Sequence, residues 1–594
     1  MHGRIGSGPR AHESTRRAAP GGGRATAPPD LDRSRSGVQH RDEDRRDHQR
    51  ASAHPRSDGR HADEDGRRDH ARRRQGPRRR RRRRRSLSWQ RLPAGRRPRD
   101  RGGLPPVGRD RARRPLHRAH PRERDRSGSL GDHRRVERRS RARRVQGVHR
   151  ISSGRAAAKL IEIDRAIWPL RTAVSRDGRL TVAGADVVEL ADRYGTPLYV
   201  YDAETIRTSV RGYVDAFFPY RPVRVAYSVK ACPLIGVGAV IARAGLDASV
   251  ASFGELLAAR RSGFPASRME LHGNAKPDEE LAGALRSRVG RVVIDGAHDI
   301  ERLGPLVRKR VQPQPVWLRV SPGIAVDTHP HLRTGGLDSK FGVPISTGDA
   351  LAYAREIVRT KGLALVGLHA HLGAEVRDAR PYRELARALV AFANEVRAAT
   401  KAPIAEIAMG GGLAVPLRSG EEVVGLADYA RALAEPVRKE GGALRGATIY
   451  VEPGRGIVGR AAVALYRVIG TKRVEGLRAF VAVDGGMGDN IRPALYGAEY
   501  TAAIAGRANA PATEEVAVAG KFCESGDVLI RSVKLPSARA GDVLAMPSVG
   551  AYSLAMASNY NQAPRPAVVL LDGGRARVIR RRERPEDIWR LERR

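Results

Sequence analysis

Val223-Arg224-Val225-Ala226-Tyr227-Ser228-Val229-Lys230 is a short β-branched run that stops at a lysine. Such a run reads as a buried strand, so Lys230 falls where the strand gives way to a loop. A lysine held there is a candidate for Schiff-base chemistry, because burial lowers an ammonium pKa and frees the amine. Taken alone the position says little, since most strand-end lysines are simply solvated. The rest of the chain decides it.

From residue 222 to 455 one unit recurs, a short apolar run followed by a helical stretch. The pattern predicts strands at 223–229, 246–251, 269–272, 292–295, 316–320, 363–369, 404–409 and 447–451. Eight β/α units of this kind close into a TIM-like barrel of parallel strands ringed by helices. The same alternation permits an open doubly wound sheet. Eight units, with polar residues just past nearly every strand tip, favour the barrel, whose sites lie at the C-terminal ends of its strands. Residues 381–400, with Leu385, Leu389, Phe392 and Val396 on one face, read as an outer amphipathic helix. After Arg455 come short β-branched runs separated by Gly or Pro, at 457–468, 480–483, 516–519, 528–532, 542–547 and 567–571. They predict a mostly β C-terminal domain. The expected division is an extension over 1–155, a lead-in over 156–202, the α/β barrel over 203–455 and the β domain over 456–594.

Four segments join Lys230: His369-Ala370-His371-Leu372-Gly373, Gly410-Gly411-Gly412, Glu452-Pro453-Gly454-Arg455 and Cys523-Glu524-Ser525-Gly526-Asp527. The first three follow strands six, seven and eight. Each is weak alone: a triple glycine commonly marks a turn, a Glu–Arg pair is commonly structural, and a lone cysteine is commonly a buried thiol. Together and in this order they resemble the pyridoxal-phosphate-dependent decarboxylases of the alanine-racemase/ornithine-decarboxylase family (fold type III), and within it the diaminopimelate decarboxylases. The resemblance spans about residues 195–582. It implies decarboxylation of meso-2,6-diaminopimelate to L-lysine and carbon dioxide, in lysine biosynthesis, with pyridoxal 5'-phosphate as cofactor. It also implies a homodimer whose sites are shared across the interface, and it expects residues 179–182 and 198–200 to lend strands to the β domain.

By that resemblance Lys230 carries the cofactor as a Schiff base. Gly410, Gly411 and Gly412 let backbone N–H groups approach its phosphate, and Arg455 adds a guanidinium fork. Gly454 lies in the same cradle. Glu452 pairs with the pyridine nitrogen, whose proton lets the ring accept electrons from the substrate. His371 stacks on the ring, and Tyr552 lies near cofactor and substrate. Cys523 supplies the proton that replaces the departing carboxylate, from the neighbouring subunit. Glu524 binds the distal ammonium. Arg492 and Tyr496, with Arg455 beside the substrate, hold the distal carboxylate. Lys340 matches a lysine that bridges subunits near the position of Asp527. No metal is implied.

The chain departs from that pattern at several places. Gly373-Ala374-Glu375 stands where relatives have Gly-Ser-Gln, which removes a hydroxyl from the phosphate cradle and adds a negative charge. Gly456 replaces a serine, and Cys232 replaces the asparagine of Lys-Ala-Asn. The aspartate expected before Val250-Ala251-Ser252 is absent; Ser249 stands there, with Asp247 two residues earlier on the same strand face. The altered cradle leaves open a paralogue with the same chemistry on another diamino or D-amino acid. A catalytically dead homologue serving as a binding partner would be expected to lose Lys230, Cys523 or Glu452, and none is lost.

The chain has 594 residues and a formal charge of +45, unevenly placed. Residues 1–150 hold 47 arginines, no lysine, 18 acidic residues and one aromatic, Trp89, and so carry +29 of that total. Such a stretch cannot bury enough apolar surface to offset the entropy of folding, which predicts disorder. As a polybasic arm it would bind nucleic acid or an anionic membrane. Arginine without lysine, mixed with Gly, Ala, Pro, Asp and His, is instead what a non-coding frame of GC-rich DNA yields. That favours an over-extended gene start, with the true initiator near Val145 or Val148; nucleic-acid binding follows only if the extension is genuinely expressed. Two cysteines imply no disulfide framework. With no apolar span to cross a bilayer and no secretory signal, the expected compartment is the cytoplasm.

Overall fold

A computed structural model of the chain describes residues 149–150, 163–329 and 332–593, all within one compact unit, Asp132–Arg594. The arginine-rich stretch and the suggested start near Val145 or Val148 lie outside the described residues. Within the segment assigned to the extension, His149–Arg150 forms a two-residue strand.

The eight expected barrel strands are present as β1 (Val223–Ser228), β2 (Asp247–Val250), β3 (Met269–Leu271), β4 (Arg291–Ile294), β5 (Gln314–Ser321), β6 (Leu363–His369), β7 (Glu406–Ala408) and β8 (Thr448–Val451). Each pairs in parallel with the next, and β8 returns to β1, so the sheet is closed. An open doubly wound sheet is thereby excluded. The outer helix Arg380–Thr400 buries Leu385, Leu389, Phe392 and Val396 against the barrel. Truncating one of these, as in Leu389→Ala, would cost about 2–5 kcal/mol.

Polar groups close the barrel at the N-terminal ends of its strands. Arg224 grips Asp247 through Nε and Nη2 at 2.6 and 3.0 Å, and Arg268 donates to the same carboxylate. Arg291 and the Trp317 indole converge on Glu406, with Nε at 2.7 Å and Nε1 at 2.6 Å from Oε2. Glu270 is fully buried with neither oxygen paired. Burial pushes it well above the usual carboxyl range, which favours the neutral acid there.

The C-terminal region is mostly β: β9 (Ala462–Val474), β10 (Arg478–Val483), β11 (Glu514–Ala519), β12 (Val528–Leu535), β13 (Val543–Met546), β14 (Ala567–Asp572) and β15 (Arg575–Arg580). A ten-stranded sheet runs His149–Arg150, β15, β14, Leu198–Asp202, β9, β10, β11, β12, with β13 and Ala503–Ile504 branching from it. Leu198–Asp202 thus joins the β domain as expected, parallel to β14 and antiparallel to β9. Residues 179–182 do not. Leu180–Val182 forms a separate three-stranded sheet with Thr172–Val174 and Ala185–Asp186. A turn with Ala183 and Gly184 both at positive φ folds it back locally. Its Leu180 and Val182 then pack on the face of the large sheet, among Leu198, Val463 and Val543. The strand expected to begin at 457 starts only at Ala462, because Arg455–Val458 makes one helical turn first.

Backbone bonds fix the strand tips, and one of them, from Tyr552, ties the β domain to the turn after β1. Ser228 N donates to Pro453 O at 3.0 Å, Tyr552 N to Ala231 O at 2.8 Å, and Gly550 N to Gly459 O at 2.8 Å.

Candidate active site

A cavity of about 340 Å³ opens at the C-terminal ends of the barrel strands. Of the residues singled out in the sequence, Lys230, His371, Gly411, Gly412, Glu452, Gly454, Arg455, Arg492, Tyr496 and Tyr552 line it. Lys230 sits in the single turn Val229–Ala231 that follows β1. It is exposed to the cavity rather than buried, so the burial anticipated from the strand pattern does not extend to its side chain. The turn is held from both sides, by Pro453 O on the Ser228 amide and by the Tyr552 amide on Ala231 O. Gly454 is required for that approach. A Cβ there would lie 2.9 Å from the Ala231 side chain and 3.2 Å from the Tyr552 hydroxyl.

The triple glycine follows β7 and allows three close approaches. A Cβ on Gly410, at φ +62°, would strike the His371 ring; on Gly411 it would meet Glu452 O at 2.3 Å; on Gly412, at φ +98°, it would meet Gly373 O at 1.9 Å. Gly410 therefore backs His371 instead of lining the cavity. Gly411 N donates to His371 Nδ1 at 3.3 Å, which fixes the ring and leaves Nε2 to carry the proton. Burial, with the positive charge of Lys230 nearby, pushes His371 well below its ordinary range, so the imidazole is neutral.

Glu452 lies just past β8, its Oε1 3.3 Å from His272 Nε2 and 3.4 Å from His369 Nε2. Neither contact has hydrogen-bond geometry, and Oε1 and both nitrogens are buried without partners. Burial works to raise the carboxyl, but the two imidazoles outweigh it and hold Glu452 well below the usual range. His369, stacked on Trp317 with its centroid 6.4 Å away, is driven by burial down to about 4. The arrangement is an ionised carboxylate that lines the cavity, with Oε1 buried beside the two imidazoles.

Arg455 and Arg492 complete the wall. Arg492 donates through Nη2 to Glu375 Oε1 at 2.7 Å and through Nε to the Tyr500 hydroxyl at 3.2 Å. Arg455 Nη2 lies 3.4 Å from the same Glu375 oxygen, while its Nη1 is buried without a partner. Each guanidinium rests over a tyrosine, Arg455 over Tyr552 at 5.2 Å and Arg492 over Tyr496 at 5.3 Å. These features fit a phosphorylated pyridine: an unpaired guanidinium nitrogen and glycine backbone for the phosphate, an ionised carboxylate for a ring nitrogen, and an accessible lysine.

Cys523 and Glu524 are exposed and do not reach this cavity. Their loop is nevertheless built, since Asp527 accepts from Phe522 N at 2.8 Å and Met487 N at 2.6 Å. Cys523 N donates to Asn561 Oδ1 at 3.1 Å. Lys340 lies 4.9 Å from the ring of its neighbour Phe341 and outside the cavity.

The departures have structural answers. Asp247 shares its strand face with Ser249 but is committed to Arg224 and Arg268, so it does not stand in for the missing acid; Ser249 alone reaches the cavity. At Gly456 a Cβ would lie 2.1 Å from the Tyr213 hydroxyl, which fills the place of the serine. Cys232 is buried beside the Tyr201 hydroxyl at 3.4 Å and takes no part. Sequence reasoning gave no role to His272, His369 or Arg319, all of which line the cavity. His272 and His369 closed predicted apolar runs, the one signal that could have placed them at strand tips.

The model of the pyridoxal-dependent decarboxylase family, pyridoxal binding domain, matches residues 203–459. The chain is 44% identical to the diaminopimelate decarboxylase of Actinosynnema pretiosum subsp. auranticum over 434 residues, 72% of this chain and 96% of that one. It is 38% identical to that of Bacillus subtilis (strain 168) over 422 residues, 70% and 96% of the two chains. Among solved structures, the diaminopimelate decarboxylase of M. jannaschii in co-complex with L-lysine superposes with a TM-score of 0.68 at 30% identity, covering 71% of this chain and 98% of that one.

Proposed function

This chain belongs to the diaminopimelate decarboxylase family, and we propose that it carries out the decarboxylation of meso-2,6-diaminopimelate to L-lysine in the cavity at its strand tips. One observation carries the assignment of the site: Lys230, Glu452 and the paired guanidinium groups of Arg455 and Arg492 open on a single cavity. When bound, pyridoxal phosphate supplies an aldehyde that condenses with an amine and a ring that takes up the electron pair left when carbon dioxide departs.

Lys230 Nζ would hold the cofactor covalently, and its free amine would serve to move protons beside the reacting carbon. The Gly412 backbone, with the Arg455 guanidinium, would hold the phosphate, the Gly411 amide being engaged by His371. The Glu452 carboxylate would keep a proton on the ring nitrogen, and His371, fixed by Gly411, would lie against the ring. Arg492 and Tyr496 would orient the substrate through its distal carboxylate. The carbon–carbon bond to the carboxylate breaks, and the carbon takes a proton from the Cys523 thiol, whose thiolate regains one from water. Glu524 would pair with the distal ammonium. That Cys523 and Glu524 stand outside their own chain's cavity supports their delivery from a second copy, in a homodimer. Among the described residues no helix is long and apolar enough to cross a membrane; the compartment proposed is the cytoplasm.

The test is carbon dioxide release from meso-diaminopimelate beside ornithine, lysine and arginine, followed by borohydride reduction and peptide mapping. Preference for meso-diaminopimelate, with the reduced cofactor on Lys230, is expected. Mapping to another lysine would sink the site. Equal efficiency on ornithine would move the assignment to another diamino acid, the reading that the altered cradle at Ala374 and Glu375 leaves open.

A further inference from the structure

A single oxygen of Glu375 faces both guanidinium groups of the cavity, 2.7 Å from Arg492 Nη2 and 3.4 Å from Arg455 Nη2. The three groups differ in freedom. The side chains of Arg492 and Arg455 are 1% and 6% exposed, each packed over a tyrosine ring. The Glu375 side chain is 28% exposed and lines the cavity. Its backbone is fixed in the left-handed region at φ +63°, with Ala374 N bonded to Leu332 O at 3.1 Å and Val376 N to Gly412 O at 3.0 Å. The arginines are thus a rigid receptor for one carboxylate, and Glu375 is a carboxylate on a tether that can leave without unpacking anything.

We propose that Glu375 is a built-in competitor for the substrate's distal carboxylate, holding the Arg455–Arg492 pair when the site is empty and re-entering as the carboxylate-bearing product departs. This rests on the reading of Arg492, with Arg455 Nη2 beside it, as the distal-carboxylate site. A ligand that binds only after Glu375 leaves has its apparent affinity reduced by the fraction of molecules in which the arginines are free. The residue therefore weakens binding of every ligand with that carboxylate, L-lysine included, and leaves ligands without it untouched. A purely positioning Glu375, holding Arg492 in place, makes the opposite forecast.

The experiment uses the full-length holoenzyme and calorimetric titration with L-lysine, which keeps the distal carboxylate, and cadaverine, which has none. Glu375→Gln keeps length and removes charge. Glu375→Asn suits the left-handed backbone and is too short to reach the arginines. Both are expected to bind L-lysine about tenfold more tightly or better, with KM for meso-diaminopimelate lowered and cadaverine affinity unchanged. Unchanged or weaker L-lysine binding in both variants, or an equal shift for cadaverine, overturns the proposal. If the unmodified enzyme does not turn over meso-diaminopimelate at all, it is the functional reading that fails instead.

Discussion

Replacing Arg492 by alanine tests the proposed distal-carboxylate site. The guanidinium is buried, donates to Glu375 and Tyr500, and lies in a short helix, Arg492–Tyr496, whose last residue lines the same cavity. Truncating one side of a buried charge-assisted pair costs roughly 2–5 kcal/mol. Here the remaining Arg455 must serve two carboxylates, the substrate's and that of Glu375, so the net charge of the cluster falls from +1 to zero. That places the loss in the upper part of the range, about 3–5 kcal/mol, or on the order of a hundredfold to several thousandfold in kcat/KM. D-Lysine offers a similar reacting centre with no distal carboxylate, and its kcat/KM should change by no more than about threefold, the scale of a contact it never made. In the unmodified enzyme D-lysine leaves Arg492 still paired with Glu375, so discrimination against it should sit near the low end, about 30-fold. The assay is carbon dioxide release on both substrates, with thermal unfolding to confirm the fold. An equal loss on the two substrates would show that Arg492 supports the site in general and that the specificity argument is wrong.

Three further outcomes can be checked. Gly412→Ala sets a Cβ against Gly373 O at a φ of +98° and should destabilise by on the order of 3 kcal/mol and weaken cofactor binding; Gly420→Ala, also at positive φ but with open space around it, should cost only about 1 kcal/mol in a urea melt. Asp489, buried and raised to about 6, favours the folded state most while it is protonated, so its contribution is full below pH 4 and fades as pH rises through 6. Asp489→Asn should remove a slope worth about 3 kcal/mol between those limits, and superimposable stability–pH curves for variant and parent would refute it. Mixing Lys230→Ala with Cys523→Ala subunits should restore part of the activity each lacks, whereas no recovery after proven subunit exchange would put both residues in one chain's site.

The barrel was legible because a parallel strand buried on both faces leaves a continuous apolar run, and eight such runs alternated with amphipathic helices. The tips of those runs led to Lys230, His371, the glycines and Glu452. What the pattern could not show was direction in the third dimension. Leu180–Val182 has the composition of a sheet strand, yet a tight local turn returns it to its neighbours and it packs on the large sheet as a second layer. His272 and His369 read as the polar ends of strands, and only the closure of the barrel makes them the flanks of Glu452.

The departures from the family pattern make the same point more sharply. Asp247 and Ser249 share a face, but two residues along a strand are separated by about 7 Å, enough to put one carboxylate among the arginines at the barrel's far end and leave only a hydroxyl at the cavity. Gly456 lost a side chain whose volume is supplied by Tyr213, from the helix Ala203–Phe217. Glu375 added a charge that a linear reading counts against phosphate binding. In the folded chain that charge is directed at Arg492 first and Arg455 second, leaving Arg455 Nη1 unengaged. On the proposed roles, the two nitrogens of one arginine are therefore separable, and a substitution that reads as damage to the cofactor cradle would act on the substrate side of the site.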